Sequence, residues 1–173
     1  TGGELTVSTY DLTVNTTFNV NDGANLLLHA DSGQSVSSPN FVSGSTVTFN
    51  DTSGTNPIPN WGYHHFTMNA SGATYQTVNT ETLNIAGNMT LTAGTVDNVT
   101  NAEAINVTGD VAMDNARTDM GDATWTVSGN WDHQDIADLN PDLSTLEMNG
   151  TSKTLAGGTV NTERLNDLTI DGT

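Results

Sequence analysis

Six carboxylates, Asp119, Asp122, Asp132, Asp135, Asp138 and Asp142, fall close together in the second half of the chain. Oxygen-rich stretches of this kind hold Ca²⁺, and a bound cation would offset part of the acidic excess. Their spacing matches neither the EF-hand loop nor the glycine-rich nonapeptide calcium repeat, so a solvated acidic loop over 132–142 is the better reading. Ca²⁺ is the one cofactor the sequence offers. Paired carboxylates also cleave polysaccharides, but that chemistry often wants a basic partner, and Arg117, Lys153 and Arg164 are scattered. His64 and His65 stand beside Trp61 and Tyr63. Neighbouring strand residues face opposite sides, so this pair would share a metal only in a loop. Trp61 and Tyr63 would stack on a sugar or, more readily, on a neighbouring subunit. There is no cysteine, no phosphate-binding glycine loop and no signalled Ser/His/Asp set. No catalytic, metal or cofactor-binding residue is therefore assigned, and an enzyme is not expected.

Seven N-glycosylation sequons occur, at Asn15, Asn50, Asn69, Asn88, Asn98, Asn106 and Asn149. With 21 asparagines and 42 serines and threonines, chance alone gives about five. Several alternate with core positions such as Val14, Phe49, Met68 and Val107 and so would point outward toward glycans.

The elements that must position these residues are strands. Threonine, asparagine, serine, glycine and valine dominate the 173 residues, and only three are Lys or Arg. That starves the chain of long helix-favouring side chains and indicates an all-β protein. The 20 acids against three bases give a formal charge of −17. Such a field repels phosphate backbones and anionic headgroups, so nucleic acid and membrane surfaces are poor partners. No apolar run approaches the roughly 20 residues of a membrane span.

The organising pattern is Leu83-Asn84-Ile85-Ala86-Gly87-Asn88-Met89-Thr90-Leu91, apolar at every second position with a glycine at its centre. It reads as two short strands around a corner. It recurs at 105–113 and 125–133, and again at 12–20. Copies beginning at 83, 105 and 125 predict a parallel β-helix, or β-solenoid, with coils of about 20–22 residues and the whole of 1–173 as one unit. Serine- and proline-rich segments at 31–39 and 54–63, like the acidic 132–142, read as loops projecting from it. A second echo relates 45–53 to 144–152, a distance of 99 residues that implies a repeat longer than one coil. Finally, Phe66-Thr67-Met68-Asn69 aligns with Leu168-Thr169-Ile170-Asp171. In that register the motif at Leu12 follows Leu168 of a preceding copy as Leu83 follows Phe66. The two ends then read as halves of one rung, with Leu5, Val7, Leu12, Val14, Leu165, Leu168 and Ile170 at the junction.

Three phrases, Asn166-Asp167-Leu168-Thr169-Ile170-Asp171-Gly172-Thr173, the motif at 83–91 and Ser45-Thr46-Val47-Thr48-Phe49-Asn50, resemble repeats of large prokaryotic cell-surface proteins. Those chains are adhesin-like, S-layer-associated or filament-forming. The resemblance covers most of the sequence apart from 31–43, 54–64 and 132–142. It implies a parallel β-helix, an extracellular or cell-surface location and a structural or adhesive role, and it supplies no catalytic residue. The expectation is a structural subunit that joins copies of itself end to end, as a homopolymer or a tandem array. A carbohydrate-binding stalk and a β-helical polysaccharide lyase or hydrolase are the alternatives.

Overall fold

The computed structural model describes residues 2–8, 11–29, 34–78, 81–158 and 164–172, and every regular element among them is a strand. The chain winds through successive coils. The first two hold β1 (Glu4–Val7), β2 (Thr13–Val20), β3 (Asn25–Leu28) and β4 (Ser35–Phe41). The next three hold β5 (Thr46–Phe49), β6 (Thr55–Ile58), β7 (His65–Thr77), β8 (Leu83–Ile85), β9 (Met89–Asp97) and β10 (Ile105–Val107). Two coils follow with three strands each: β11 (Val111–Asp114), β12 (Ala116–Asp119) and β13 (Thr124–Val127), then β14 (Trp131–Asp135), β15 (Asp138–Asn140) and β16 (Thr145–Met148). The last comprises β17 (Leu155–Ala156) and β18 (Asp167–Ile170).

All pairings among the described residues are parallel, and the eight stacked rungs make a β-solenoid of about seven turns. One face stacks β1, β3, β5, β7, β9, β11, β14 and β17; a second stacks β8, β10, β13, β16 and β18. A third, confined to the middle, runs from β6 through the second halves of β7 and β9 to β12 and β15. The β2–β4 pair is a separate two-stranded sheet.

Stacking follows from the sequence pattern. A single coil cannot bury its apolar side, but coils about 4.8 Å apart pair every backbone group upward and downward and enclose a continuous core. Leu5, Leu26, Val47, Phe66, Met89, Val111, Trp131 and Leu155 form one column, with steps of 19 to 24 residues. Leu83, Ile105, Trp125, Leu146 and Leu168 form another. Trp125 and Trp131 meet edge to face at 6.0 Å between adjacent faces.

The corner between those two faces has its own code. A Cβ at Gly129 would meet the Gly109 carbonyl oxygen at 2.1 Å, and one at Gly172 the Gly150 oxygen at 2.3 Å, so only glycine lets the coils approach there. The side chain that follows carries a polar rail. His65 Nδ1 accepts from the Asn88 backbone N–H at 3.0 Å, Asn88 Oδ1 from Asp110 at 3.0 Å, Asp110 Oδ1 from Asn130 at 2.7 Å, and Asn130 Oδ1 from Thr154 at 3.0 Å.

The motifs at 83–91, 105–113 and 125–133 are strand–corner–strand units, as their alternation predicts. Four other expectations are corrected. The motif at 12–20 is one unbroken strand, β2, because it has no central glycine to release the chain into a corner. The expected loops contain β4, β6, β14 and β15. Pro39 and Pro57 are accommodated because β4 and β6 each pair on one side only, where the missing N–H faces outward. The echo over 99 residues does not join equivalent coils, since β5 lies in the first face and β16 in the second. For the same reason Phe66, in the first face, is not the counterpart of Leu168, in the second.

Candidate functional site at the ends of the solenoid

Among the described residues, the inner strands of the first face have a neighbour above and below, whereas β4, β6 and β15, where a sheet begins or stops, and the outermost strands of the stack pair on one side only. At one end β1 pairs only with β3, and β2 only with β4. At the other, β17 pairs only with β14, and β18 only with β16. Each outer edge leaves backbone N–H and C=O groups directed away from the stack. Their core-facing residues lose cover as well. Leu5 is 47% exposed, Leu168 38% and Ile170 72%. Val7, Leu12 and Leu165 are partly buried and pack against the core, and Val14 is half-buried.

The seven residues expected at the junction therefore lie on terminal coils, but their register changes. Leu168 and Ile170 continue the columns of Trp125 and Val127. Followed the other way, that side runs from Ile85 to its bridge partner Tyr63, across a 5.5 Å ring contact to Phe41, and on to Val20. The opposite-end equivalents of Leu168 and Ile170 are thus Phe18 and Val20 rather than Leu12 and Val14. Sequence reasoning also missed Leu155, 39% exposed on β17 as the equivalent of Leu5. The spacing of 24 residues from Trp131 to Leu155 carried that signal, outside the 20–22 window.

Both ends open into apolar mouths. The mouth beside β1 and β2 has a volume of about 270 Å³ and is lined by Glu4, Leu5, Phe18, Val20 and Leu26 among others. The one beside β17 and β18, about 180 Å³, is lined by Met148, Lys153, Leu155 and Ile170.

The other candidate residues are distributed differently. Among the described residues no three His, Cys, Asp or Glu side chains gather as a metal cluster. Asp119 and Asp138 flank Arg117, at 3.0 and 3.2 Å, and the hydrogen bond from the guanidinium to Asp119 raises the Arg117 pKa further. Asp122 and Asp132 accept from the Leu143 and Gln134 backbone N–H groups. Asp135 lies exposed near the end of β14, and Asp142 turns the chain at a φ of 48°.

Tyr63 is buried against Phe41, Phe49 and Phe66, and Trp61 is half-buried on Phe41. Tyr63 is enclosed by the core, and Trp61 packs against it while keeping part of its surface exposed. Burial and then the nearby Glu103 carboxyl raise the Tyr63 pKa, and its hydroxyl donates to the Pro59 carbonyl.

His64 and His65 are not splayed apart, since their rings touch at 4.3 Å. Each Nδ1 accepts a backbone N–H, from Gly44 and Asn88 respectively. The neutral rings must then carry their proton on Nε2, so His64 donates to Ser43 Oγ and cannot deprotonate it. The same tautomer leaves no lone pair on Nε2 for a metal.

Of the sequons, Asn15, Asn69, Asn88, Asn106 and Asn149 are exposed and Asn50 is half-buried. Asn98 is fully buried: Nδ2 donates to the Glu103 and Met120 carbonyls, and Oδ1 accepts from the Glu103 N–H and the Thr77 hydroxyl. It is a structural bracket between coils and no acceptor for a glycan.

No family model matches the chain, and neither a curated protein nor a solved structure matches it significantly.

Proposed function

We propose that this protein is a structural rod unit of an extracellular filament or surface layer, in which copies join end to end through their solenoid ends. The observation that carries the reading is the unpaired edges of β1, β2, β17 and β18, bordered by the exposed apolar side chains of Leu5, Leu155, Leu168 and Ile170. Such edges are templates for another parallel strand. Covering them gives each terminal coil the neighbour that every interior coil has. The composition fits an extracellular load-bearing element: no cysteine chemistry, short polar outward side chains and a charge of −17 that keeps the lateral surfaces apart. Four exposed sequons, Asn69, Asn88, Asn106 and Asn149, lie on interior coils, away from the terminal strands, while Asn15 lies on β2 itself. Copies linked in one polypeptide and copies associating as separate subunits would use the same ends.

Negative-stain imaging and sedimentation velocity over a hundredfold concentration range test the proposal. Unbranched rods that lengthen with concentration are expected. Monodisperse monomers at every concentration would overturn it.

A further inference from the structure

Building on the assembly reading, we infer that the partner at each end is a second copy in one polar, in-register orientation: β17 and β18 of one copy pair with β1 and β2 of the next, Leu155 over Leu5 and Ile170 over Val20. Three observations select this joint from the other ways in which two open ends can meet.

The first is shape. Among the described residues each end exposes two edges and no third: β1 and β17 belong to the first face, β18 to the second and β2 to the separate β2–β4 pair on that side, while β6 begins the third face in the third coil and β15 is its last strand. The two unpartnered edges at one end therefore correspond in number and role to the two at the other. The second is strand direction. Every pairing among the described residues is parallel, and stacking one end on the opposite end of another copy keeps it so. Joining like ends would place antiparallel strands across the contact and break the side-chain columns.

The third is charge. Every Lys and Arg lies at or beyond position 117, and Arg117 itself is held between Asp119 and Asp138. Lys153 stands in the mouth at the β17 end, beside Leu155 and Ile170. The mouth at the β1 end carries Glu4, whose carboxylate also receives Thr6 Oγ1 and Asn25 Nδ2. With Leu155 over Leu5, Glu4 falls under Thr154, one residue from Lys153. Head-to-tail contact thus brings Lys153 to Glu4 on the first face, with Asp171 over Asn21 beside Asp22 on the other, whereas joining two β1 ends sets Glu4 against Glu4 and joining two β17 ends sets Lys153 against Lys153. The contact is heterologous and does not close on itself, so it propagates as a polar filament.

The absence of cysteine makes the register directly testable. Paired strands place Cα atoms about 4.8 Å apart, within the span a disulfide accepts. A Leu5→Cys/Leu155→Cys variant, both positions already exposed, should give an oxidation-dependent ladder of multimers on a non-reducing gel. Each single variant alone should stay monomeric, and an equal mixture of the two should stop at dimers. Phe18→Cys/Leu168→Cys provides a second pair on the other face. Disulfide dimers from either single variant would overturn the polar joint. Filaments that form while neither double variant cross-links would overturn the register and leave the assembly reading standing. A loss of both filaments and cross-links would overturn the two together. Lys153→Glu should slow elongation by about tenfold, and adding Glu4→Lys should restore it. An unchanged rate in both would remove Lys153 and Glu4 from the joint.

Discussion

Val127 and Ile170 occupy the same column of the same face, two coils apart, and differ only in what lies beyond them. Val127 has β10 on one side and β16 on the other and is fully buried; Ile170 has β16 on one side only and is 72% exposed. Trp125 and Leu168 repeat the contrast. Interior and terminal coils are thus built from one code, and the difference between them measures what a next coil supplies: cover for about one large apolar side chain per column and partners for a row of backbone groups. A solenoid carries that deficit at both ends whatever its length, and on that ground the ends rather than the sides are the proposed contacts.

The sharpest way to break the comparison is to remove an interior column member. Trp131→Ala should cost about 3–5 kcal/mol, through lost burial, loss of the Trp125 contact and loss of the 2.8 Å bond from Nε1 to His133 Nδ1. Thermal or urea unfolding would read it. Next in size is Asn98→Ala, which leaves buried groups from Thr77, Glu103 and Met120 without their shared partner and should cost about 2–3 kcal/mol by the same measurement. Mass analysis of the protein produced in a glycosylating host should find no glycan at Asn98.

A third prediction concerns Glu103, buried beneath Asn60, whose Nδ2 donates to it at 3.2 Å. Burial, and then Glu81 nearby, push its pKa from 4.5 to about 7. The folded protein therefore holds this proton where the unfolded chain has released it. The stabilisation is fully present below pH 4.5 and is lost as pH rises through about 7. Glu103→Gln should flatten the dependence of the melting temperature on pH between 5 and 8 and raise it at pH 8. A profile as steep as the parent's would remove Glu103 as its source.

The smallest expected effect is the most informative about the ends. Ile170→Ala should change the stability of an isolated molecule by about 0.5 kcal/mol or less, since most of its surface is already in water. The same change should reduce rod length measured by sedimentation. A large loss of monomer stability would mean that Ile170 is an interior residue in all but position.

Much of the fold was legible in the alternation itself. Leu83, Ile85, Met89 and Leu91 keep one parity around Gly87, and all four are buried. The parity dictates a strand with one apolar side, and the glycine dictates where it turns. Two of the misread segments share one cause. Ser35–Phe41 and Thr55–Ile58 carry prolines that locally argue against strands, yet each lies at a sheet edge that tolerates them. An edge is a property of the neighbours, which no local pattern encodes.

What the sequence determined by itself was the period, the inward-facing parity and the glycine corners, because these depend on residues within one coil. Which coil lies over which was decided only by the tertiary structure. The echoes that linked 45–53 with 144–152, and Phe66 with Leu168, are similarities of strand type, and strands of one type serve either face equally well. Tertiary packing likewise took Asn98 out of reach of a glycan, turned Trp61 and Tyr63 inward, and placed Leu155 and Lys153 at the end of the stack. The physical reason is that the stabilising contacts of a solenoid run between residues about one coil apart, so the identity of a neighbour exists only once the coils have been laid on one another.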